Sequence, residues 1–321
     1  MRLGISYRMH FRYSEPVTES QNEVRVRPRD DEHQRVLSYQ LTSRPVLNVL
    51  SVVDYWDTVV GHVGFRSSHT ELELLAEAQV ETAPRPTPSV APDPSTLTSE
   101  DFRSAHLEYL VPSQHVGWAN GDVVEQRAAA AVAGAESVLE MVLAVIAGAR
   151  AALLYRQDST DIGVTLLELI EGGAGVCQDF AHLALGMLRS AGVPARYVSG
   201  YLFAADETEL DARQADLVSV QTHAWIEVAV PGWGWWALDP TNGGAAGERH
   251  VVIGYGRDYG DVPPVRGVFT GSGVAAVDAE VLISRQTGGT PAQAVSKPST
   301  PLSVPTPVQL PDQQQHQAQQ Q

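Results

Sequence analysis

The sequence predicts an α+β protein in which an antiparallel β domain precedes a layer of helices and a second set of strands. Residues 1–82 alternate polar and apolar side chains in short runs separated by turn residues, which is typical of antiparallel strands. From residue 101 the chain changes to helical runs and then to strand-like runs. Helices that precede strands, rather than alternate with them, favour a helical layer packed on an antiparallel sheet.

Composition shifts divide the chain of 321 residues into four parts. Residues 1–82 form the predicted β domain, expected to be sandwich-like, and a stretch with five prolines begins a linker placed at 83–100. Residues 101–286 form the predicted catalytic core. Residues 287–321 are rich in Pro, Ser, Thr and Gln, so we expect a disordered tail.

Local signals predict the individual elements of both parts. In the first part the expected strands are ISYRMHFRY, NEVRVRP, RVLSYQLTS, VLSVVDYWDT, VVGHVGFRSS and ELLAEAQVET. Residues 126–155 contain strong helix formers and no proline, and we expect Gly134 and Gly148 to interrupt them. Two further helices are predicted, a short one in VTLLELIEGGAG and a longer one in CQDFAHLALGMLRSAG. The strands that follow are ARYVSGYLF, SVQTHAWIEVAV and WGWWALDP, with an acidic exposed loop at 204–217.

Charge and composition exclude several classes of function. The chain has 22 Lys and Arg against 38 Asp and Glu, a net charge of −16, which argues against a nucleic-acid partner. The N-terminus lacks the apolar run of a signal peptide, and no apolar run approaches the roughly 20 residues of a membrane helix. We therefore expect no membrane partner and a cytoplasmic location. The single cysteine, the absence of an HExxH pattern and the lack of a calcium-loop spacing predict no metal and no cofactor.

The one cysteine, Cys177, lies where a glycine-rich step enters a helical pattern. A helix N-terminus has unpaired backbone N–H groups and a partial positive charge, which favour a thiolate and can hold a developing oxyanion. A free cysteine is also a common buried apolar residue. Position alone therefore leaves both interpretations open.

A predicted hairpin supplies two partners for such a thiol. In QTHAWIEVAVPGWGWWALDP the segment Pro231–Gly234 turns two strand-like arms, so that His223 and Asp239 lie at neighbouring ends. Each residue also has a structural interpretation, a satisfied strand histidine and a turn-forming aspartate. Together with Cys177 they form the set that a thiol nucleophile, its base and an orienting carboxylate require.

Three segments in order, GVCQDFAHLALGMLRSAGVPARYVSGYL, THAWIEVAVPGWGWWALDPTNG and HVVIGYGRDYGDVPPVRGVFTG, resemble the bacterial transglutaminase-like family of the papain-like thiol superfamily. The first 82 residues are similar to the all-β domain that precedes this core in such proteins. The resemblance implies Cys177 as nucleophile, His223 as base and Asp239 as the residue that orients His223. It also implies a protein or peptide substrate and a catalytic helix packed on an antiparallel sheet.

The resemblance identifies the expected catalytic residues more specifically than it identifies the reaction that they perform. We favour a cysteine protease or amidase, because water is always present and no amine-binding pattern is visible. The alternatives are a protein-glutamine gamma-glutamyltransferase and a catalytically idle peptide-binding module of the same fold. Around the triad, Gln178 is a weak candidate oxyanion donor, and four residues are expected to be structural: Asp179, His182, Arg196 and Tyr197.

Overall fold

The computed structural model describes residues 1–204 and 217–286. Most of the predicted acidic loop and the whole predicted tail lie outside these residues. The first six strands are β1 (Arg2–Val17), β2 (Glu19–Val24), β3 (Gln34–Arg44), β4 (Val49–Val53), β5 (Val59–Phe65) and β6 (His69–Thr82). The elements that follow are α1 (Glu100–Ala105), α2 (Val123–Val132), α3 (Val138–Ala152), β7 (Leu154–Tyr155), α4 (Leu166–Gly172), β8 (Ala174–Gly175), α5 (Cys177–Ser190), β9 (Ala195–Leu202), β10 (Leu217–Val220), β11 (Thr222–Val230), β12 (Gly234–Asp239), β13 (Gly244–Ala245), β14 (His250–Gly256), β15 (Val265–Thr270) and β16 (Ala275–Arg285).

Two antiparallel sheets form what we call the N-terminal β module. One sheet has the order β10-β16-β1-β6-β3 and the other the order β15-β2-β5-β4. Strand β1 shows why the alternating pattern predicts them, since every second side chain is buried: Leu3, Ile5, Tyr7, Met9, Phe11 and Tyr13. Residues from both sheets share one apolar core. The predicted antiparallel β domain is therefore present.

The predicted boundary of the catalytic core at residue 286 is wrong in one respect. Strand β16 pairs with β1 over the whole range Leu3–Tyr13, and β15 pairs with β2. Residues 265–285 thus complete the two sheets of the N-terminal β module rather than extend the core. Local alternation predicts that a segment is a strand, whereas the choice of partner strand depends on tertiary packing.

A helical layer covers one face of a further sheet, the central sheet, which is formed by β9 and β11–β14. The predicted interruption at Gly134 is confirmed, since this residue has φ +81° and lies between α2 and α3. The predicted interruption at Gly148 is wrong because this residue lies inside α3. A Cβ there would approach Met187 Cε to 3.3 Å, so glycine allows close packing of α3 against α5. Helix α5 is followed by Gly192 with φ +79°, as the sequence predicts.

The central sheet has the strand order β13-β12-β11-β9-β14. Buried residues of β9, β11 and β12 share one apolar core with α2, α3, α4 and α5. The α+β class, with a helix packed on an antiparallel sheet, is thereby confirmed. The segment predicted as one strand, SVQTHAWIEVAV, is divided at Gln221, because β10 joins the N-terminal β module and β11 begins the central sheet.

The proline-rich linker packs against the N-terminal β module on one side and against the helical layer and central sheet on the other. Leu97, in a short 3₁₀ helix, is buried in the core of the helical layer. The Arg85 guanidinium lies 2.9 Å from an Asp31 carboxylate oxygen of the module and 3.9 Å from Glu227 of the central sheet. The segment is therefore a structural bridge and not only an extended connector.

Across residues 1–204 and 217–286, every helix falls short of the length and apolarity needed to cross a membrane.

Candidate active site

Cys177 is the first residue of α5, and a local arrangement of backbone and carboxylate fixes the start of this helix. The Asp179 carboxylate accepts hydrogen bonds from the Val176 backbone N–H at 2.8 Å and from the Thr160 hydroxyl at 2.5 Å. Asp179 is buried, and it stabilises the helix N-terminus as the sequence predicts. Its side chain leaves no room beside Gly175, where a Cβ would lie 2.7 Å from the Asp179 Cβ.

Replacing Gly175 with alanine is expected to destabilise the protein by about 1–3 kcal/mol, because the new methyl group overlaps the Asp179 side chain. The measurement is chemical or thermal unfolding of the full chain. Gly172→Ala is the matched control, since a Cβ at Gly172 meets nothing within 4 Å. Equal stability of the two variants would contradict the close approach.

The hairpin places His223 and Asp239 as the sequence predicts. His223 is the second residue of β11 and Asp239 the last residue of β12, and the two strands pair through the turn at residues 231–233. The His223 Nε2–H donates to Asp239 Oδ2 at 2.8 Å. The Cys177 Sγ lies 4.0 Å from the carbonyl oxygen of Thr222, immediately before His223. The structure therefore brings all three predicted residues together.

The electrostatics of this group favour a charged histidine. Burial alone would lower the pKa of His223, but hydrogen bonds with Asp239 and Cys177 outweigh it and raise the pKa to about 10. Burial alone would raise the pKa of Asp239, and the hydrogen bonds from His223 and His250 instead hold it well below its usual range. At neutral pH the pair is an imidazolium beside a carboxylate. An imidazolium next to Cys177 is the arrangement that stabilises a thiolate.

Asp239 holds its position through hydrogen bonds at both carboxylate oxygens. Oδ1 accepts from the backbone N–H groups of Thr241 at 3.0 Å and Asn242 at 3.1 Å. Oδ2 accepts from His223, from the Asn242 side chain at 2.7 Å and from His250 Nε2 at 3.1 Å. Asp239 thus makes both the turn contacts and the hydrogen bond to His223 that its two alternative interpretations require.

His250 is the site residue that sequence reasoning missed. It opens β14, which is separated from β11 by β9, and its side chain is 10% exposed. The segment HVVIGYG gives no local signal beyond its place in a motif, since a histidine at the start of a strand is unremarkable by itself. Only the pairing of β14 with β9 brings it to Asp239.

His223, Asp239 and His250 could be taken for a metal site, because one ligand atom of each lies within 4.8 Å of the others. The hydrogen bonds argue against that interpretation. The Gly247 backbone N–H donates to His250 Nδ1 at 3.2 Å, so Nδ1 carries no proton and the proton of the neutral ring lies on Nε2. The Nε2–H then donates to Asp239 and leaves no lone pair for an ion. This donor set fits a hydrogen-bonded carboxylate better than a metal.

Trp225 covers the two imidazoles on one side. Its ring centroid lies 6.1 Å from that of His223 and 5.1 Å from that of His250, and the residue is fully buried. The indole packs directly over Gly200, where a Cβ would lie 2.4 Å from it and 2.2 Å from a backbone oxygen of Val251. Exclusion of water here strengthens the hydrogen bonds to Asp239.

Three of the residues expected to be structural make packing, ion-pair or hydrogen-bond contacts, and Gln178, the weak candidate oxyanion donor, lies beside Cys177. His182 is buried, and its Nε2 accepts from the Tyr259 backbone N–H at 3.2 Å. The Arg196 guanidinium donates to Glu227 at 2.6 Å and lies 4.0 Å from the Trp235 ring centroid. Tyr197 is buried in the core beneath the helices. Gln178 is partly exposed beside Cys177.

Fold and site together define a papain-like class of thiol protein, with a cysteine at a helix N-terminus facing a histidine and an aspartate on an antiparallel sheet. The Transglutaminase-like superfamily model matches residues 125–240, which include Cys177, His223 and Asp239. The Bacterial transglutaminase-like N-terminal region model matches residues 3–81. This chain belongs to the bacterial transglutaminase-like family.

Two relatives match nearly the whole chain, and a third matches a short part of it. Protein ML0607 of Mycobacterium leprae is 34% identical over 292 residues, covering 88% of this chain and 99% of the relative. Protein Rv2569c of Mycobacterium tuberculosis is 31% identical over 290 residues, covering 87% of this chain and 91% of the relative. A protein-glutamine gamma-glutamyltransferase of Pseudomonas aeruginosa is 37% identical over 75 residues, or 23% of this chain and 11% of that enzyme.

A solved structure shares the overall fold. The crystal structure of a candidate cysteine protease from Cytophaga hutchinsonii superposes with a TM-score of 0.70 at 22% identity, covering 92% of this chain and 94% of that chain. The family and this fold suggest a cysteine-dependent enzyme.

Proposed function

We propose that this protein is a cysteine hydrolase of peptide or amide bonds, with Cys177 as nucleophile, His223 as acid and base, and Asp239 as the residue that orients His223. The observation that carries the proposal is a thiol at a helix N-terminus, 4.0 Å from the Thr222 carbonyl and beside the His223 imidazole, which is hydrogen-bonded to the buried carboxylate of Asp239. A binding role does not require these three residue types together. The intact site therefore favours an enzyme over an idle binding module.

In the first half of the reaction the Cys177 thiolate attacks the carbonyl carbon, and a C–S bond forms as the carbonyl electrons move to oxygen. The unpaired N–H groups at the start of α5, including that of Cys177, are the donors available to the oxyanion. When the intermediate collapses, the C–N bond breaks and the His223 imidazolium gives its proton to the departing nitrogen. The products are an amine and a thioester on Cys177.

In the second half water attacks the thioester, and His223 accepts a proton from it. The C–S bond breaks, a carboxylic acid leaves, and the thiolate–imidazolium pair returns. Throughout, Asp239 keeps the ring in place and stabilises its charged form. Apart from the substrate and the attacking water, each step uses only groups that the described residues supply.

Transfer to an amine is the second candidate, and the similarity of 75 residues to a protein-glutamine gamma-glutamyltransferase favours it. In that reaction a primary amine attacks the same thioester in place of water. The two reactions share the triad and differ only in the acceptor. The acceptor therefore has to be identified from the products.

The decisive experiment incubates the protein with a peptide library and a labelled primary amine, and reads the products by mass spectrometry. The hydrolase proposal expects cleaved or deamidated peptides with little incorporated label. If the main product carries the label, the proposed reaction is transamidation and not hydrolysis. A third result would be that neither product forms and that iodoacetamide alkylates Cys177 no faster than a small-molecule thiol. This result would contradict both the hydrolase and the transferase proposals and favour the binding module.

A further inference from the structure

His250 forms a hydrogen bond that the three-residue mechanism above does not use. Its Nε2–H donates to Asp239 Oδ2, the same oxygen that accepts from His223. The residue is buried, and the two histidine ring centroids lie 6.0 Å apart on either side of the carboxylate. A side chain kept only for packing would not need to donate to the oxygen that orients the base.

The surroundings of His250 hold it in one protonation state. Nδ1 accepts from the Gly247 N–H, so the ring donates through Nε2 alone. The charged and titratable groups that face it are Asp239 on β12, His223 on β11 and Arg85 on the linker. Burial first, and the neighbouring cations His223 and Arg85 with it, lower the pKa of His250 in spite of Asp239. The site thus contains one charged and one neutral histidine on a single carboxylate.

The N-terminal β module holds the strand that carries His250. The Gln34 side chain of β3 bonds to both backbone groups of Val252, donating to its carbonyl at 2.7 Å and accepting from its N–H at 2.7 Å. The Thr82 hydroxyl at the end of β6 donates to the Glu248 carbonyl at 2.6 Å, in the turn before His250. The module therefore fixes β14 on the side away from β9.

We propose that His250 is a positioning residue of this active site, and that the N-terminal β module acts on the site by holding it. The neutral ring donates to Asp239 and keeps Oδ2 turned toward His223, so that His223 in turn faces Cys177. This inference rests on the proposed function and adds a fourth residue to its site. It also gives the module a role in the geometry of the site.

The test compares His250→Phe with His250→Gln in the full chain. Phenylalanine keeps the ring and removes the donor, whereas the glutamine amide can still donate to Asp239. The readout is the rate of Cys177 alkylation by iodoacetamide at about pH 6, which requires no substrate. We expect His250→Phe to be slower by about 10-fold to 100-fold, the scale of a misplaced catalytic group, and His250→Gln to recover most of the rate. Thermal unfolding shows that both variants are folded, and His10→Phe on the module is the matched control.

Two alkylation results would overturn the inference without contradicting the proposed function. In the first, His250→Phe reacts as fast as the wild type. In the second, both folded variants lose the same rate, so that the donor is irrelevant. Nitrogen-15 NMR of the wild-type rings provides a readout independent of reactivity, because His250 must carry a proton on Nε2 and none on Nδ1 at neutral pH. A doubly protonated His250 would overturn the inference whatever the alkylation rates, whereas slow wild-type alkylation would count against the proposed function.

Discussion

Replacement of Cys177 with alanine is expected to abolish turnover of any peptide found by the library screen, with a fall in kcat of about 10⁶-fold, the loss seen when a nucleophile is removed from a comparable triad. The reason is that His223 and Asp239 cannot form an acyl intermediate without the thiol. Reaction with iodoacetamide disappears as well, since Cys177 is the only cysteine of the chain. Product analysis by mass spectrometry measures the first loss, and intact mass after alkylation measures the second.

Stability provides the control for this variant. Cys177 is partly exposed at the first turn of α5, so alanine is expected to change the free energy of unfolding by no more than about 0.5 kcal/mol. Cys177→Ser keeps the shape of the side chain but supplies a much weaker nucleophile, and we expect it to be inactive too. Undiminished turnover by either folded variant would mean that another group performs the chemistry.

The sequence predicts the parts of this site that depend on local patterns. Cys177 follows from a glycine-rich step into a helical pattern, and Gly175 is required there because Asp179 fills the space beside it. His223 and Asp239 follow from a hairpin whose short turn fixes which residues oppose each other. In each case the spacing along the chain predicts where the residue lies in its own element, whereas the approach of Cys177 to His223 depends on the packing of α5 against β11.

The parts that were missed depend on contacts between distant segments. His250 reaches Asp239 only because β14 pairs with β9 on the far side from β11. Residues 265–285 join the N-terminal β module because β16 pairs with β1, more than 260 positions earlier in the chain. Alternation gives the same signal for a strand in either sheet. Pairing across such distances is decided by the assembled core, which no local pattern contains.

The Asp239→Asn variant should lose activity by about 10⁴-fold, as when the orienting carboxylate of a triad becomes an amide. Within the described residues, five hydrogen bonds from four residues donate to this carboxylate, three at Oδ2 and two at Oδ1. In either orientation of an asparagine side chain, its NH₂ group replaces an oxygen that accepts two or three hydrogen bonds. A donor group then faces other donor groups, and those hydrogen bonds are lost. We expect destabilisation of about 3–5 kcal/mol, because the variant also leaves His223 without its buried counter-ion.

The pH dependence of stability shows whether Asp239→Asn destabilises the protein by removing the negative charge or by disturbing the packing of the side chain. The pKa of His223 is raised to about 10, so the stabilisation from its pairing is complete below its unfolded value of about 6.5 and is lost as the pH rises through about 10. The pKa of Asp239 is lowered, so its contribution is complete above its unfolded value of about 3.9 and is lost as the pH falls through its folded value. The wild-type unfolding temperature should therefore fall as the pH rises above about 6.5 and, separately, as the pH falls below about 3.9.

In Asp239→Asn the alkaline fall should disappear, because the histidine no longer has a carboxylate that favours its charged form. Thermal unfolding between about pH 4 and pH 10 measures this alkaline fall. The control variant is Asp278→Asn, because Asp278 forms an exposed ion pair with Arg12 that is expected to contribute less than about 1 kcal/mol to stability. If Asp239→Asn kept the wild-type fall above pH 8, the charge of His223 would have to depend on another group. In that event Cys177 is the remaining neighbour that raises the pKa of His223. The combined Cys177→Ala and Asp239→Asn variant would then show which of the two residues sets the alkaline limit.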